Sequence, residues 1–333
     1  MRKRILILLL LAALILPTVL AGCARKEKIH IVFLGDSIAE GIAGMRPVSE
    51  RERDAYYGVL GIRNGYDFKN RAISGSRSRD LLRRLKEEDK GIRMAQTLVR
   101  TADIVHVSIL GNDLLLADIG RLITSTAAGD YTYINEIVAT AATNIAGIVE
   151  TIKDYNPDAL FIIQLVYNPI FENSTLITAK ARADLEELGV YPEDYRRLAD
   201  ELVSMVNKVV YDYLDEHPGA FYIVDMQKEY NRILAENPER GKAMIFVDDA
   251  HPSSEGHAVM ADMNQKILEA TGYANPKTAL KNYKKMRIEQ LNRLYSETVN
   301  VKSVKKQINK AKSCEEVTEI YYAAIKDKMP DYY

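Results

Sequence analysis

Four near-continuous apolar runs, Ile29 to Leu34, Ile104 to Leu110, Leu160 to Tyr167 and Phe221 to Val224, recur along the chain, with a mixed strand-like stretch at Tyr66 to Ala72. Short runs of this kind fit parallel strands buried on both faces, since one-sided strands alternate apolar with polar residues. Before the third apolar run, Ile134, Ile137, Val138, Ala141, Ile145, Ile148, Val149 and Ile152 repeat at helical spacing and form one apolar stripe. Helices between parallel strands imply a three-layer α/β/α sandwich extending to residue 271. With 47% hydrophobic and 27% charged residues over 333 positions, the chain has the composition of a folded protein with a substantial core.

Three segments that follow strand-like stretches carry chemistry: Gly35-Asp36-Ser37, Ser74-Gly75 and Gly111-Asn112-Asp113. They are expected at one edge of the sheet, where open α/β sheets bind ligands. A fourth segment, Asp248-Asp249-Ala250-His251, supplies a base and a carboxylate. A serine hydroxyl is a weak nucleophile that needs a base in hydrogen-bond reach and a third group to orient that base. Ser37 and His251 fill the first two roles and Asp248 or Asp249 the third, and the Ser37 N–H, Gly75 N–H and Asn112 amide are candidate donors to an oxyanion. Each residue also has a plainer reading. Ser37 is a good helix N-cap, and Gly75 and Asn112 are ordinary turn residues. Among the five histidines, His106 lies inside a strand-like run, His30 opens a strand, and His217 ends a helix before Pro218. His257 is expected in the first turn of a helix, facing away from the chemistry, which leaves His251 as the base.

Taken together, Ser37 in GDSIAEG, Gly75 in NRAISGS, Asn112 in LGND and His251 in DDAHPSSEGH resemble, in order, the four blocks of the SGNH hydrolases, the GDSL esterases and lipases. The resemblance spans roughly residues 29 to 270. It implies a flavodoxin-like five-stranded sheet and a serine esterase that cleaves acyl esters through an acyl-enzyme, without cofactor or metal. It also selects Asp248 over Asp249 as the orienting carboxylate. Many members carry Leu after the block-one serine, where this chain has Ile38. The acyl and alcohol parts of the substrate stay open, from lipid and small acyl esters to O-acetyl groups on cell-wall glycans. A different class of answer is a non-catalytic surface-binding lipoprotein. A metallophosphatase reading of Asp36, Asp113, Asp248 and His251 lacks further clustered histidines and leaves Ser37 and Gly75 without roles. Neither a GxxxxGK loop nor a CxxC pattern occurs.

Arg2, Lys3 and Arg4 precede the apolar run Ile5 to Leu16 and the sequence Leu20-Ala21-Gly22-Cys23. This has the layout of a signal peptide and is too short for a good membrane span. Its end resembles a bacterial lipobox, which implies cleavage before Cys23, lipidation of that residue, and an extracytoplasmic protein anchored to the membrane, with residues 23–28 as tether. Cys314 is the only other cysteine, so packing must stabilise the domain without an internal disulfide. Loss of the three positive charges before residue 5 moves the net charge from −1 to −4, which gives no attraction to nucleic acid.

Connections at residues 113–131 and 168–200 exceed what the fold needs, and long insertions at a ligand edge are commonly lids or substrate walls. Leu114, Leu115, Leu116, Ile170 and Phe171 are candidates to line an acyl pocket or to pack in the core. Arg77, Arg79, Arg83 and Arg84 read as a solvated helix face. Beyond a hydrolase domain at residues 29–272, residues 276–333 show helical repeats such as Val304, Ile308, Ala311 and Val317, Ile320, Ala324, with a capping-box pattern at Ser313 and Glu316. This region resembles small three-helix modules of bacterial surface proteins, which would allow protein or cell-wall contact. The alternative is a helical appendage on the catalytic domain. Truncation near Asn275 leaves an active domain only if the tail covers little apolar surface.

Overall fold

The computed structural model describes residues 28–42, 50–87, 94–245 and 250–326. Strands β1 (His30–Gly35), β2 (Asp67–Asn70), β3 (Ile104–Ser108), β4 (Leu160–Gln164) and β5 (Tyr222–Val224) form one parallel sheet in the order β2-β1-β3-β4-β5. This is the flavodoxin-like order the resemblance implied. Every residue of β3 and β4 is buried, as the unbroken apolar runs require. The mixed stretch at Tyr66 makes the edge strand β2, which pairs with β1 alone.

The helices in chain order are α1 (Ser37–Glu40), α2 (Arg51–Asp54), α3 (Tyr56–Asn64), α4 (Ser78–Lys86), α5 (Ala95–Thr101), α6 (Gly111–Leu115), α7 (Ile119–Ala127) and α8 (Thr132–Tyr155). After β4 come α9 (Ala179–Glu187), α10 (Pro192–Glu216), α11 (Met226–Glu236), α12 (Pro238–Ala243), α13 (Ser254–Ala270), α14 (Pro276–Leu294), α15 (Val301–Lys310) and α16 (Cys314–Ile325). Period-two alternation in β1 divides the core. Val32 and Leu34 pack with Leu81 of α4, Ile145 of α8 and Leu202 of α10. Ile31 and Phe33 pack on the other face with Tyr56 of α3, Tyr230 of α11 and Met260 of α13. The result is the three-layer sandwich.

Helices α14 to α16 extend the second of these cores. Tyr283, Met286, Ile308, Val317, Tyr321 and Ile325 belong to the same apolar cluster as Phe33 and Tyr56. Two arginines are fully buried at this junction. The Arg63 guanidinium lies 2.8 Å from the Asp262 carboxylate and 4.0 Å over the Tyr283 ring. Arg287 donates to Gln290 at 2.7 Å and lies 3.4 Å from Asp54, with its guanidinium 4.6 Å over Tyr321. Aromatic faces and carboxylates offset the desolvation of such charges, and removing one partner is strongly destabilising. The tail therefore covers much apolar surface, and the condition for a clean truncation is not met. Ser313 caps α16 by accepting from the Glu316 N–H, while the Glu316 carboxylate reaches one residue further back, to the Lys312 N–H.

Candidate active site

The sheet reverses its winding between β1 and β3, and the loops after these two strands flank the crevice where such sheets bind ligands. Gly35 ends β1 at φ +139, and a Cβ there would stand 1.8 Å from the Ser108 carbonyl oxygen of β3, so only glycine lets the chain turn out at this point. Asp36, rather than Ser37, caps α1, accepting from the Ile38 N–H at 3.0 Å. Ser37 occupies the first helical position and is free of the capping role. Its Oγ lies 2.8 Å from His251 Nε2, a contact between residues 214 apart in sequence. Asp36 is buried; burial pushes its carboxyl up to about 7, against the pull of the Ile38 and Ala39 N–H groups and of His251.

Residues Ile73 to Ser76 form a turn closed by the Ser76 N–H on the Ile73 carbonyl at 3.1 Å. Gly75 sits at its third position with φ +77, which a type II turn reserves for glycine. Glu40 of α1 accepts from both the Ser74 N–H at 2.7 Å and the Ser74 hydroxyl at 2.6 Å, tying the turn to the helix that carries Ser37. Across the crevice, Leu110 adopts φ +93 immediately before α6. A left-handed conformation at a leucine is strained and persists only where the surroundings enforce it. It leads into Asn112, whose Nδ2 donates one proton to the Ser76 carbonyl at 3.1 Å; the amide has a second proton to give. Next to it, Asp113 accepts from the Ser78 hydroxyl at 2.6 Å and the Ser78 N–H at 2.9 Å, and Asn144 of α8 donates to the same hydroxyl at 2.9 Å. The turn bearing Gly75 and the helix bearing Asn112 are thus held in register.

Ser37, Gly75, Asn112 and His251 come to one edge of the sheet, joined through these bonds. Asp248 and Cys23 lie outside the described residues. His257 sits in the first turn of α13, stacked on Tyr56, with Nε2 3.1 Å from the Ile42 carbonyl; burial pulls it down to about 4. His106 is buried in β3 against the Tyr56 hydroxyl, and burial lowers it to about 3. Neither reaches Ser37. Glu40, Ser76, Ser78 and Asn144 were missed by sequence reasoning. Glu40 was legible in principle, since it lies inside the GDSIAEG block, but its partner Ser74 is 34 residues away. Among the described residues no group of three or more His, Cys, Asp or Glu side chains is arranged to hold a metal ion.

Close to Ser37 opens a narrow apolar cleft with a void of about 60 Å³, walled by α6, α7, α10 and residues 166–170 and reaching Ile38 and Ala250. Leu114, Leu115 and Ile170 line it. Leu116 is 51% exposed instead, and Phe171 packs in the other core, under the Arg196 guanidinium. The two insertions meet where Gly120 of α7 leaves room for Ala181 of α9. Of the four clustered arginines, Arg84 is buried and donates to the Arg71 carbonyl, because its stem lies on the inner face of α4. Arg77 bonds the Leu116 carbonyl at 2.7 Å, and Arg79 is exposed.

A family model described as the GDSL-like Lipase/Acylhydrolase family matches residues 33–259. The uncharacterized protein YpmR of Bacillus subtilis (strain 168) is 26% identical over 256 residues, covering 74% of this chain and 84% of that protein. Among solved structures, phospholipase A1 from Streptomyces albidoflavus NA297 superposes with a TM-score of 0.51 at 17% identity, covering 72% of this chain and 99% of its own. The lipase Lip_vut3 from a goat rumen metagenome gives a TM-score of 0.49 at 21% identity, covering 72% and 96%. At 17% identity the likeness to the phospholipase speaks for the fold alone.

Proposed function

The chain belongs to the GDSL-like lipase/acylhydrolase family and is a serine hydrolase of carboxylic esters, and from that premise we propose how its residues divide the work. Ser37 is the nucleophile and His251 the base. The observation that carries this reading is the 2.8 Å contact between Ser37 Oγ and His251 Nε2, the geometry a base needs to take the hydroxyl proton during attack. Asp248 orients His251 and stabilises its charged form. The Ser37 and Gly75 N–H groups and the Asn112 amide receive the oxyanion of the tetrahedral intermediate. Collapse expels the alcohol, protonated by His251, and leaves an acyl-Ser37 ester that water, activated by the same histidine, hydrolyses.

The acyl portion occupies the apolar cleft. Its polar side chains are already engaged: the Tyr167 hydroxyl donates to the Ala250 carbonyl, and Asn168 bonds Arg196 and Ile170. A wall of mostly apolar side chains suits an alkyl chain longer than the two carbons of an acetyl group. This favours acyl esters over O-acetylated glycans. Expected results are that Ser37→Ala folds and loses at least about 10³-fold in kcat, that a fluorophosphonate labels Ser37, and that butyrate or longer p-nitrophenyl esters outrun acetate and acetylated glycans. A folded Ser37→Ala with wild-type activity refutes the nucleophile, and a preference for acetate refutes the acyl site.

The segment from Arg2 to Cys23 supports an extracytoplasmic lipoprotein held by lipidated Cys23. Cys23→Ser in a bacterial host should then move the protein out of the membrane fraction with its hydrolytic activity intact; retention of lipid on that variant refutes the tether. Burial of α14 and α16 in the hydrolase core weighs against an autonomous binding module at residues 276–333.

A further inference from the structure

We propose that Tyr322, in the last helix, is a positioning residue for His251: its hydroxyl fixes the first turn of α13 and with it the loop that carries the base. The proposal rests on the reading of His251 as the general base. Tyr322 is 2% exposed. Its hydroxyl donates to the Ser254 carbonyl at 2.8 Å and accepts from Arg287 Nη2 at 3.1 Å. An arginine can only donate, so the hydroxyl must accept from it, and its own proton is committed to Ser254. Arg287 is in turn held by Gln290 and by the Arg53 carbonyl at 3.2 Å. The donor therefore has one orientation and a rigid backing.

Ser254 lies three residues beyond His251. The intervening lever is stiff, because Pro252 has a fixed φ and pairs with Ile245, and Ser253 caps α13 while its N–H bonds the Met244 carbonyl at 2.7 Å. On the other side of the histidine, the Tyr167 hydroxyl donates to the Ala250 carbonyl at 2.6 Å. Two tyrosines thus bracket His251. Tyr167 stands within the family-matched residues 33–259 and Tyr322 beyond them. A second strap runs parallel to the first: Arg240 of α12 pairs with Glu255 of α13 at 2.7 Å and with Glu319 of α16 at 3.0 Å. The α13 side of His251, and α12 ahead of it, are thus both tied to α16.

No residue of α16 lines the acyl cleft, so the expected signature lies in kcat and spares KM. A misplacement of about 1 Å at a reacting group costs on the order of 10²-fold, and loosening one of two restraints should cost about tenfold on the same scale. The test compares Tyr322→Phe with Thr318→Val in the full chain. Thr318 is a buried residue of the same helix that bonds Asp262 at 2.8 Å, away from the loop. Tyr322→Phe should lower kcat and the fluorophosphonate labelling rate at Ser37 by about tenfold each, with KM within about twofold. Thr318→Val should lower Tm comparably and leave both rates unchanged. A folded Tyr322→Phe with wild-type rates overturns the proposal, as does an equal loss of rate in Thr318→Val. Should Tyr322→Phe fail to fold, Arg240→Gln cuts the second strap and should lower kcat about threefold at unchanged KM; a wild-type kcat there overturns it equally. Absence of labelling at Ser37 in the wild-type protein would instead refute the reading of the catalytic residues.

Discussion

Ending the chain at Asn275 removes α14 to α16 and tests whether the hydrolase stands without them. Tyr283, Met286, Tyr321 and Tyr322 are all at most 3% exposed, and they sit against α3, α13 and the buried arginines described above. A buried tyrosine covers about 150–250 Å², so these four side chains screen on the order of 400 Å² of apolar hydrolase surface even if only part of each faces it. At roughly 25 cal/mol per Å², uncovering that surface costs about 10 kcal/mol, an upper figure because unfolded chains also bury surface. Whole domains are stable by about 5–15 kcal/mol. Asp54 loses Arg287 and Asp262 loses Thr318 as well. A protein spanning residues 25–275 should therefore be insoluble or show no cooperative thermal transition by circular dichroism. Its counterpart spanning residues 25–333 should melt cooperatively and hydrolyse esters. A truncated protein that melts within a few degrees of the longer one and keeps its kcat/KM would refute the claim that the tail shares the core.

Two further outcomes follow from the site. Asn112→Ala should lower kcat by about 10²-fold with a smaller change in KM, because the oxyanion contact matters in the transition state; steady-state kinetics that place the loss in KM alone would make Asn112 a ground-state binding residue. Asp36 stands at about 7 in the folded protein, above its ordinary 3.8, so the native state holds the extra proton between those values and stability falls as pH rises through that window, with the full penalty above pH 7. Asp36→Asn keeps an oxygen for the Ile38 N–H and escapes the penalty. Its stability gain over wild type in urea denaturation should grow from about 1.6 kcal/mol at pH 5 to at most about 4 kcal/mol at pH 8, and a gain that is the same or larger at pH 5 refutes the account.

The sequence by itself determined the elements and the chemistry-bearing loops. Strands β1, β3 and β4 announce themselves because burial on both faces demands apolar residues in unbroken runs, and α8 because one face of a long helix must be apolar. The loops were legible because turn chemistry is local: Gly75 reads as a turn residue and takes a positive φ, and a cap was expected at Ser37 where the structure places it one residue earlier, at Asp36. The extent of the third apolar run misled slightly, since Leu165 to Tyr167 continue past β4; they are apolar because they pack in the core and wall the cleft, without extending the ladder. Tertiary structure decided what depends on residues far apart in the chain. The Ser37–His251 contact spans 214 positions, the Arg287–Asp54 pair 233 and the Glu40–Ser74 link 34, and no periodicity encodes such pairings. Arg63 and Arg287 look like surface residues in a linear reading, as arginines mostly are. Packing buries them because tyrosine faces and carboxylates from distant helices surround them, and that same packing turns an apparent appendage into part of the hydrolase core.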